Sequence, residues 1–546
     1  MLIKLFLISL LTRLAFLFFG FPSITHDEAD FYLNGYILSK TGSDIHNNSL
    51  FLSSGILSSI SPIPVYISAL FFTFLPKTII TGRLPFAILN SLIPVLIYYI
   101  INKLTSNKKL AFFTFLVANF SPWLVHVSSQ AAFDSPLSFM FYLAATASLL
   151  SSIRPKLKTA LFISLMFLSF NSYMGIKVSF FFLVLIAFVI KGIYERKKLD
   201  LFFWGKSFFY SLLVFVSFMA LVFVAPGNNS FRSRIGREIL LFDKGTFEHT
   251  VWYERYVMKT PEIIKKFVSN KATVFTSMFI DKYLVSFDPR ILFFKGDPHP
   301  LYGTYYFGLF YLFEFAFLIL GFFKAQEILG KKVIALLPFF LLLLVSPIPV
   351  GLSTSADVTF IFRAYPLLLP FSFLIALGGY YLISLFKKYF YVLSIGLYLI
   401  AFGYFFFIYQ VKIKAFSSEQ WHYSQKILSD RIEKLRNEYD KIYVFTNEPR
   451  ENALLYNYYQ VRNGNLIKKS ITQATDRDFE IENVYIWERC PIEKLDERNF
   501  YIIKRDVCDI RKNKAKSADY KLTPYIEAYD HSGTVYWQLT NLEKDK

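Results

Sequence analysis

The sequence is poor in cysteine, and none of its cysteine and histidine residues has the spacing of a zinc-ligand cluster. Only Cys490 and Cys508 occur among 546 residues, so no metal ligand is assigned from the sequence pattern. The C-terminal part lacks a glycine-rich phosphate loop, and the chain shows no internal repeat. The sequence therefore gives no signal for a nucleotide-binding module or a zinc module.

Acidic residues are scarce relative to basic ones. The chain has 40 Asp and Glu residues against 59 Lys and Arg residues, which gives a formal net charge of +19. The basic residues lie largely in short loops between apolar segments, where membrane topology and anionic lipid explain them better than nucleic acid does. No nucleic-acid partner is expected.

Apolar residues are abundant, at 54% of the chain, with 64 Phe and a mean hydropathy of +0.40. This composition predicts an α-helical polytopic membrane protein in contact with the lipid bilayer. The run that starts at Leu2 lacks a small-residue cleavage site, which indicates a retained helix rather than a signal peptide. The apolar pattern predicts about eleven spans, over residues 2–21, 84–101, 110–127, 136–152, 159–173, 178–194, 205–224, 303–323, 332–347, 365–385 and 390–410.

The short apolar stretch 63–75 decides the topology. It lies between Pro62 and Pro76 and is short for a crossing, which favours a juxtamembrane or re-entrant helix. If it does not cross, every basic short loop faces the cytoplasm, as the positive-inside rule requires. We therefore expect a multi-pass protein of the plasma membrane with a cytoplasmic N-terminus and an extracytoplasmic C-terminal tail.

The long loop 225–302 and the tail are expected to carry structure of their own on the outer side. Residues 261–282 have helical periodicity with basic residues on one side, which predicts a helix on the membrane surface or a solvated loop helix. The composition of the tail is that of a soluble protein. We therefore divide the chain into a transmembrane catalytic domain, residues 1–410, and an extracytoplasmic α/β domain, residues 411–546.

The predicted elements of the tail are helices over 419–439 and 452–460 and strands over 441–446, 483–487 and 500–503. Both cysteines lie in this domain. On an oxidising side of the membrane they would form a disulfide, and the alternative is a pair of buried thiols.

One polar stretch directly after the first apolar segment concentrates ionisable residues. It runs from Thr25 to Tyr32 and contains His26, Asp27, Glu28 and Asp30. Such a cluster at the end of a membrane helix is unfavourable in free energy unless water or a ligand solvates its charges. The stretch is therefore a candidate functional site. The alternative is a set of acids in a polar loop that are simply solvated.

Four motifs occur in order between residues 26 and 134 and together carry a family resemblance. They are His26-Asp27-Glu28-Ala29-Asp30-Phe31-Tyr32, Ser61-Pro62-Ile63-Pro64-Val65-Tyr66, Gly82-Arg83-Leu84-Pro85-Phe86-Ala87, and Ser121-Pro122-Trp123 with Ala131-Ala132-Phe133-Asp134. The chain resembles the GT-C glycosyltransferases that use polyprenyl-phosphate sugars, in particular the group of protein O-mannosyltransferases and lipid A aminoarabinose transferases. Looser matches are Phe294 to Gly303 and Phe362 to Pro370. Two positions depart from the family, since Gln130 replaces a frequent basic residue and Ser61 replaces a lysine of the aminoarabinose enzyme.

The resemblance implies a catalytic role for three carboxylates. Asp27 would be the general base that takes the acceptor's proton, and Glu28 would orient the substrate or assist Asp27. Asp134 would bind the acceptor or a divalent cation, which is the one cofactor left open. The alternative for Asp134 is a helix N-cap before Ser135-Pro136.

Arginine and histidine side chains on the outer side would bind the donor phosphate, because a guanidinium matches phosphate oxygens in bidentate geometry. We assign substrate binding to His26, Arg83, Arg232, Arg234, Arg237, His299 and Arg363. The alternative for the group at 232–237 is attraction to anionic lipid head groups.

The resemblance therefore implies an inverting enzyme that moves a sugar from a polyprenyl-phosphate carrier to an extracytoplasmic acceptor, such as a protein hydroxyl, a glycan or a lipid. Two alternatives are an oligosaccharyltransferase-like enzyme and a polyprenyl-linked glycan flippase. The first would carry a Trp-Trp-Asp signature, which the sequence lacks. The second would need internal repeats and charges within the spans.

The topology is open to a direct test with cysteines introduced at Thr41 and Ser106, after serine replaces both native cysteines. If 63–75 does not cross the membrane, the two positions should react with an impermeant thiol reagent from opposite sides. Labelling of both from the same side would remove the basis for assigning the active-site face.

Overall fold

The structure is a computed structural model of the chain. It describes residues 1–45, 47, 60–130, 133–197, 199–224, 239–242, 244–299, 301–304, 307–354, 361–460, 464–472, 478–488, 496, 498–504, 520–529 and 535–544. The predictions for Arg232, Arg234, Arg237, Cys490 and Cys508 fall outside the described residues.

The described chain is mainly helical. From the N-terminus to residue 224 the helices are α1 (Leu2–Phe19), α2 (His26–Thr41), α3 (Pro62–Phe74), α4 (Ile79–Asn90), α5 (Leu92–Thr105), α6 (Lys108–Phe120), α7 (Pro122–Val127), α8 (Asp134–Leu149), α9 (Pro155–Ser172), α10 (Ile176–Tyr194) and α11 (Leu201–Val224). They are followed by α12 (Lys244–Val257), α13 (Glu262–Val268), α14 (Lys271–Val285), α15 (Leu312–Leu329), α16 (Leu337–Val345), α17 (Ile348–Gly351), α18 (Leu368–Ser384) and α19 (Phe390–Ile408).

The C-terminal tail combines helices with one sheet. Its helices are α20 (Lys414–Ser417), α21 (Tyr423–Leu435), α22 (Pro449–Tyr459) and α23 (Gly464–Thr472). Its strands are β1 (Lys441–Phe445), β2 (Asp478–Ile481), β3 (Val484–Trp487), β4 (Asn499–Lys504), β5 (Tyr520–Tyr529) and β6 (Val535–Lys544).

The polytopic membrane class is confirmed. Among the described residues, seven helical stretches are long and apolar enough to cross a membrane, namely Leu2–Phe19, Ile79–Thr105, Ile176–Tyr194, Leu201–Val222, Leu312–Gly351, Ile361–Ser384 and Phe390–Ser417. The expected count of eleven spans is not confirmed. Helix α3 has 13 residues, about 20 Å at 1.5 Å per residue, which is short of a hydrocarbon core about 30 Å thick.

Several predicted elements differ from the structure. The predicted span 110–127 is divided at Ser121 into α6 and α7, and the predicted helix 419–439 is an α-helix only over Tyr423–Leu435. The predicted span 303–323 becomes a helix only at Leu312.

The predicted surface helix 261–282 is divided into α13 and α14, so the prediction of a single helix was wrong. The division has a local cause, since the side chain of Asn270 accepts hydrogen bonds from the backbone N–H groups of Ala272 and Thr273 and starts a new helix there.

The chain forms two compact units. The first comprises Met1–Leu17, Phe86–Ser129 and Phe133–Phe407, and the second comprises Phe18–Pro85, Gln130–Ala132 and Ile408–Lys546. The second unit therefore combines the segment after the first apolar helix with the whole C-terminal tail.

In the first unit, helices α15 and α18 approach closely at two glycines. A Cβ atom on Gly321 would clash with the carbonyl oxygen of Leu374, and one on Gly378 would clash with the carbonyl oxygen of Phe317. Small residues permit such backbone contact between membrane helices, where packing rather than water exclusion drives association.

In the second unit, the tail folds around a six-stranded sheet of order β2-β3-β1-β4-β6-β5. Strand β1 pairs in parallel with β3 and β4, and the other neighbouring pairs are antiparallel. The apolar residues Ile442 and Val444 of β1 lie in the core with Leu428 of α21 and Tyr456 of α22. The small α/β domain expected at the C-terminus is confirmed.

We predict that Gly378→Ala destabilises the protein by about 1–3 kcal/mol, because the added methyl group overpacks a backbone contact. Thermal unfolding of the purified protein in detergent measures the effect. Gly403→Ala in α19 is the matched control, because a Cβ there meets no atom within 4 Å. Equal melting temperatures for the two variants would refute the close helix contact.

Candidate functional site

The acidic stretch after the first apolar segment forms the start of helix α2. Thr25 is the N-cap, and its hydroxyl accepts a hydrogen bond from the backbone N–H of Glu28, whose carboxylate accepts one from the N–H of Thr25. This reciprocal capping box fixes the first turn of the helix. It thereby sets the positions of His26 and Asp27 in that turn.

A buried ion pair anchors the same turn. The guanidinium of Arg83 donates to both carboxylate oxygens of Glu28, at 2.8 and 2.7 Å. It also donates to the carbonyl oxygens of Phe21 and Ser23, both at 2.7 Å. The hydroxyl of Tyr32 donates to Glu28 at 2.9 Å. Four N–H groups of Arg83 are thus used within the protein, and its expected role in phosphate binding stays a prediction.

Aromatic and polar contacts from the C-terminal tail hold the segment that leads into α2. Trp421 stacks on Phe21 with ring centroids 4.2 Å apart, and its ring lies 5.3 Å from the guanidinium carbon of Arg83. The hydroxyl of Tyr459 accepts a hydrogen bond from the N–H of Ile24 at 3.1 Å. The start of α2 is therefore fixed by residues far away in sequence.

The three carboxylates of this stretch have different environments. Glu28 is fully buried in the ion pair, and Asp30 is buried with the side-chain amide of Asn34 donating to it at 2.8 Å. The side chain of Asp27 is 37% exposed and lies 3.5 Å from the Nε2 atom of His26. Of these three carboxylates, only that of Asp27 is exposed to solvent.

Two residues beside His26 were missed by the sequence analysis. The rings of His26 and His422 lie 5.7 Å apart, and the Nε2 atom of His422 lies 3.4 Å from a carboxylate oxygen of Glu451. In the described part of the chain, these three residues form the group of His, Cys, Asp and Glu side chains that could hold a metal ion. The three positions are far apart in sequence, so no local spacing signalled the cluster.

Burial and neighbouring charges both shift the pKa values of the groups in this cluster. Desolvation lowers the pKa of His422 to about 3, and the positive charges of His26 and Lys504 add to this effect. Burial raises the pKa of Glu451. Burial alone would lower the pKa of His26, but the carboxylates around it, above all Asp27, raise it.

The other described candidates lie together in the first unit. The hydroxyl of Ser135, which follows Asp134, donates to the carbonyl oxygen of Phe362 at 3.0 Å. The ring of Tyr302 stacks on that of Phe362 at 4.4 Å and lies 4.6 Å from the ring of His299. Asp134, His299 and Arg363 therefore share one neighbourhood.

Asp134 and Arg363 have distinct local roles there. Asp134 is the first residue of α8, and Phe133 stands at the N-cap without a side-chain hydrogen bond, so the alternative prediction of an N-cap at Asp134 is wrong by one position. Its carboxylate lies in the first turn, where the helix dipole favours negative charge. The guanidinium of Arg363 donates to the hydroxyl of Ser353 at 2.7 Å.

Asp297 is a further buried acid that the sequence analysis did not assign. Its carboxylate accepts hydrogen bonds from the N–H groups of His299 and Ile361, at 2.9 and 3.3 Å. Burial raises its pKa to about 7. These bonds hold the turn that carries His299 beside the segment that carries Arg363.

The architecture defines the class of fold. The chain has a GT-C-like fold, and its structure is similar to the crystal structure of ArnT from Cupriavidus metallidurans bound to undecaprenyl phosphate. The TM-score is 0.52 and the sequence identity 9%, over 98% of this chain and 97% of that chain. At this identity the likeness defines the fold and not the reaction.

A weaker likeness links the chain to the oligosaccharyltransferase from Archaeoglobus fulgidus in complex with Zn and sulfate. It has a TM-score of 0.41 and 12% identity, over 83% of this chain and 61% of that chain. No family model and no curated protein sequence matches the chain.

We predict that Arg83→Met lowers the free energy of unfolding by about 3–5 kcal/mol, because it leaves the carboxylate of Glu28 buried without its partner. The melting temperature in detergent should fall accordingly. Arg290→Met is the control, because Arg290 pairs with Asp288 while its side chain is 80% exposed, and exposed pairs contribute little. An Arg83→Met protein as stable as the wild type would mean that the ion pair does not anchor the turn.

Proposed function

We propose that the protein is an inverting glycosyltransferase that moves a sugar from a polyprenyl-phosphate carrier to an acceptor outside the cytoplasm. The observation that carries this proposal is the accessible carboxylate of Asp27, held in the capped first turn of α2 on a GT-C-like fold. The solved structure of similar fold holds undecaprenyl phosphate, the kind of lipid that such a reaction would release.

Asp27 is the general base of the proposed reaction. It takes the proton of the acceptor hydroxyl while the hydroxyl oxygen attacks the anomeric carbon of the donor sugar. The bond between that carbon and the phosphate oxygen breaks, and the polyprenyl phosphate leaves with the electron pair. Because attack and departure occur on opposite faces, the configuration at the anomeric carbon inverts.

Glu28 acts on Asp27 through the structure of the first turn of α2 and not by contact with the substrate. It is fully buried and paired with Arg83, so we assign it the role of a positioning residue for the first turn of α2. A base must lie within hydrogen-bond reach of the proton that it removes. A fixed first turn keeps Asp27 in such a position.

Arg363 and His299 are the residues that we propose for the donor phosphate. Their common neighbourhood around Phe362 supports this assignment, and a guanidinium suits the two charges of a departing phosphate. We assign Asp134 to the acceptor or to a divalent cation at that neighbourhood.

The orientation in the membrane is part of the proposal. We place the N-terminus in the cytoplasm and the C-terminal domain outside, because the short basic loops then obey the positive-inside rule. Lipid-linked donors suit that side, where nucleotide sugars are absent.

We predict that Asp27→Asn lowers the transfer rate by about 10²–10⁴-fold, because the amide has nearly the same shape but cannot accept the proton. Incubation of the purified protein with a panel of polyprenyl-phosphate sugars and a quantitation of the released polyprenyl phosphate measures the rate. The thermal stability should stay close to that of the wild type, since the Asp27 carboxylate is half-exposed.

Glu262→Gln is the matched control for this prediction. Glu262 is an exposed acid in the first turn of α13, and loss of its charge should leave turnover unchanged. If Asp27→Asn released polyprenyl phosphate at the wild-type rate, Asp27 would not be the base, and Asp134 would be the next carboxylate to replace.

A further inference from the structure

His26, His422 and Glu451 bring three metal-ligand groups to one point. Each residue offers one donor atom. The two imidazole nitrogens and the one carboxylate oxygen all lie within 4.8 Å of one another. The three residues belong to one compact unit. They come from the first turn of α2, from the residue before α21 and from the first turn of α22.

We infer that His26, His422 and Glu451 bind one zinc ion, with the fourth coordination position left for water or an oxygen of a bound anion. Two imidazoles and one carboxylate are a donor set of zinc sites that keep an open position. Magnesium and calcium prefer sites made of oxygen donors alone. The donor set therefore favours a borderline transition metal over the hard divalent cations.

The unsatisfied side chain of His422 supports this inference. Its Nε2 atom is buried and makes no hydrogen bond, although a carboxylate oxygen of Glu451 is 3.4 Å away. A buried polar atom without a partner is uncommon and calls for an explanation such as an ion. A zinc ion between the two groups would satisfy both atoms.

The backbone at His422 also supports a specialised role. His422 has φ +52° and ψ 41°, in the left-handed region, which is uncommon for residues other than glycine and asparagine. Such strain persists where the surrounding structure requires it, often at functional sites. Here it accompanies the position of the imidazole beside Glu451 and His26.

The surrounding charges are suited to a cation. Asp27 lies 3.5 Å from His26, and Asp30, Glu448 and Glu451 also act on His26 electrostatically. Glu448 pairs with Lys504 at 2.6 Å, and the charge of Lys504 also acts on His422. Zinc ligation requires neutral imidazoles, and the carboxylates that act on the cluster then outnumber the positive charge of Lys504.

The donor atoms need only small movements to bind zinc. Zinc–ligand bonds of about 2.0–2.1 Å at tetrahedral angles bring donor atoms to about 3.3 Å from one another. The separations of up to 4.8 Å can close through side-chain rotation. His26 is half-exposed, so it is free to make this adjustment.

Zinc binding would join the start of α2 to the tail and would stabilise the unit. A ligand that binds the folded state alone stabilises it, and the rise in melting temperature grows with the logarithm of the ratio of ligand concentration to dissociation constant. Zinc at this point would also lie next to Asp27. A bound zinc ion would therefore help to hold Asp27, the proposed base, in position. Zinc binding can be measured without any glycosyl transfer.

The test uses the full-length protein, purified in detergent through a tag without histidine and stripped with a chelator. After equilibration with one equivalent of zinc chloride and dialysis, elemental analysis should find one zinc per chain. Cobalt(II) in place of zinc should give the visible absorption bands of a tetrahedral site. Zinc should raise the melting temperature, and the chelator should reverse this rise.

His422→Asn and Glu451→Gln are the test variants. Asparagine tolerates the left-handed backbone and glutamine keeps the shape of glutamate, so both should fold. Replacement of a group that only hydrogen-bonds to a metal ligand typically weakens metal binding by roughly 10–100-fold. Loss of a zinc ligand itself should weaken zinc binding by more than this. His249→Asn is the control, because His249 is an exposed histidine outside the cluster.

Three results would overturn the inference. They are a wild-type protein that retains no zinc after dialysis, test variants that bind zinc as tightly as the His249→Asn control, and magnesium that displaces zinc at equal concentration. Since each result concerns binding alone, failure of the zinc site is distinguishable from failure of the proposed transferase.

Discussion

The buried ion pair of Glu28 and Arg83 is the interaction on which the second unit depends. Both side chains are almost fully removed from water, and such a pair is tolerated only when its remaining donors and acceptors are satisfied. The carbonyl oxygens of Phe21 and Ser23 and the hydroxyl of Tyr32 meet that condition. The pair therefore fixes the chain before α2, its capped first turn and the residue at position 27.

The same interaction separates the roles of carboxylates that the sequence presents as equivalent. Glu28 and Asp30 turn inward to partners within the protein, while Asp27 lies at the half-exposed side of the first turn. A helix places consecutive residues about 100° apart, so one capped turn directs neighbouring acids to different environments. Burial, rather than residue type, distinguishes the proposed base from its supports.

The sequence predicted what depends on local pattern. Apolar runs indicated the membrane class, and alternation indicated β1, β3 and β4. The sequence could not show that Arg83 contacts Glu28, because a motif identifies a residue but not the residue that it contacts in the fold. It also missed β2, β5 and β6 and the break at Asn270, although β2 and β5 pair with the next strand along the chain and only β6 also pairs with a distant one, β4. The cluster of His26, His422 and Glu451 could not be predicted, since its ligands come from three elements that are far apart in sequence.

The contacts of the second unit indicate a structural role for the C-terminal tail. The composition changes to that of a soluble protein from residue 418, but the compact unit combines 408–546 with 18–85. Trp421 and Tyr459 hold the approach to α2, and Lys77 donates to the carbonyl oxygens of Asn457 and Gln460 at 2.8 and 2.7 Å. The tail is thus the scaffold that gives the acidic turn a fixed geometry.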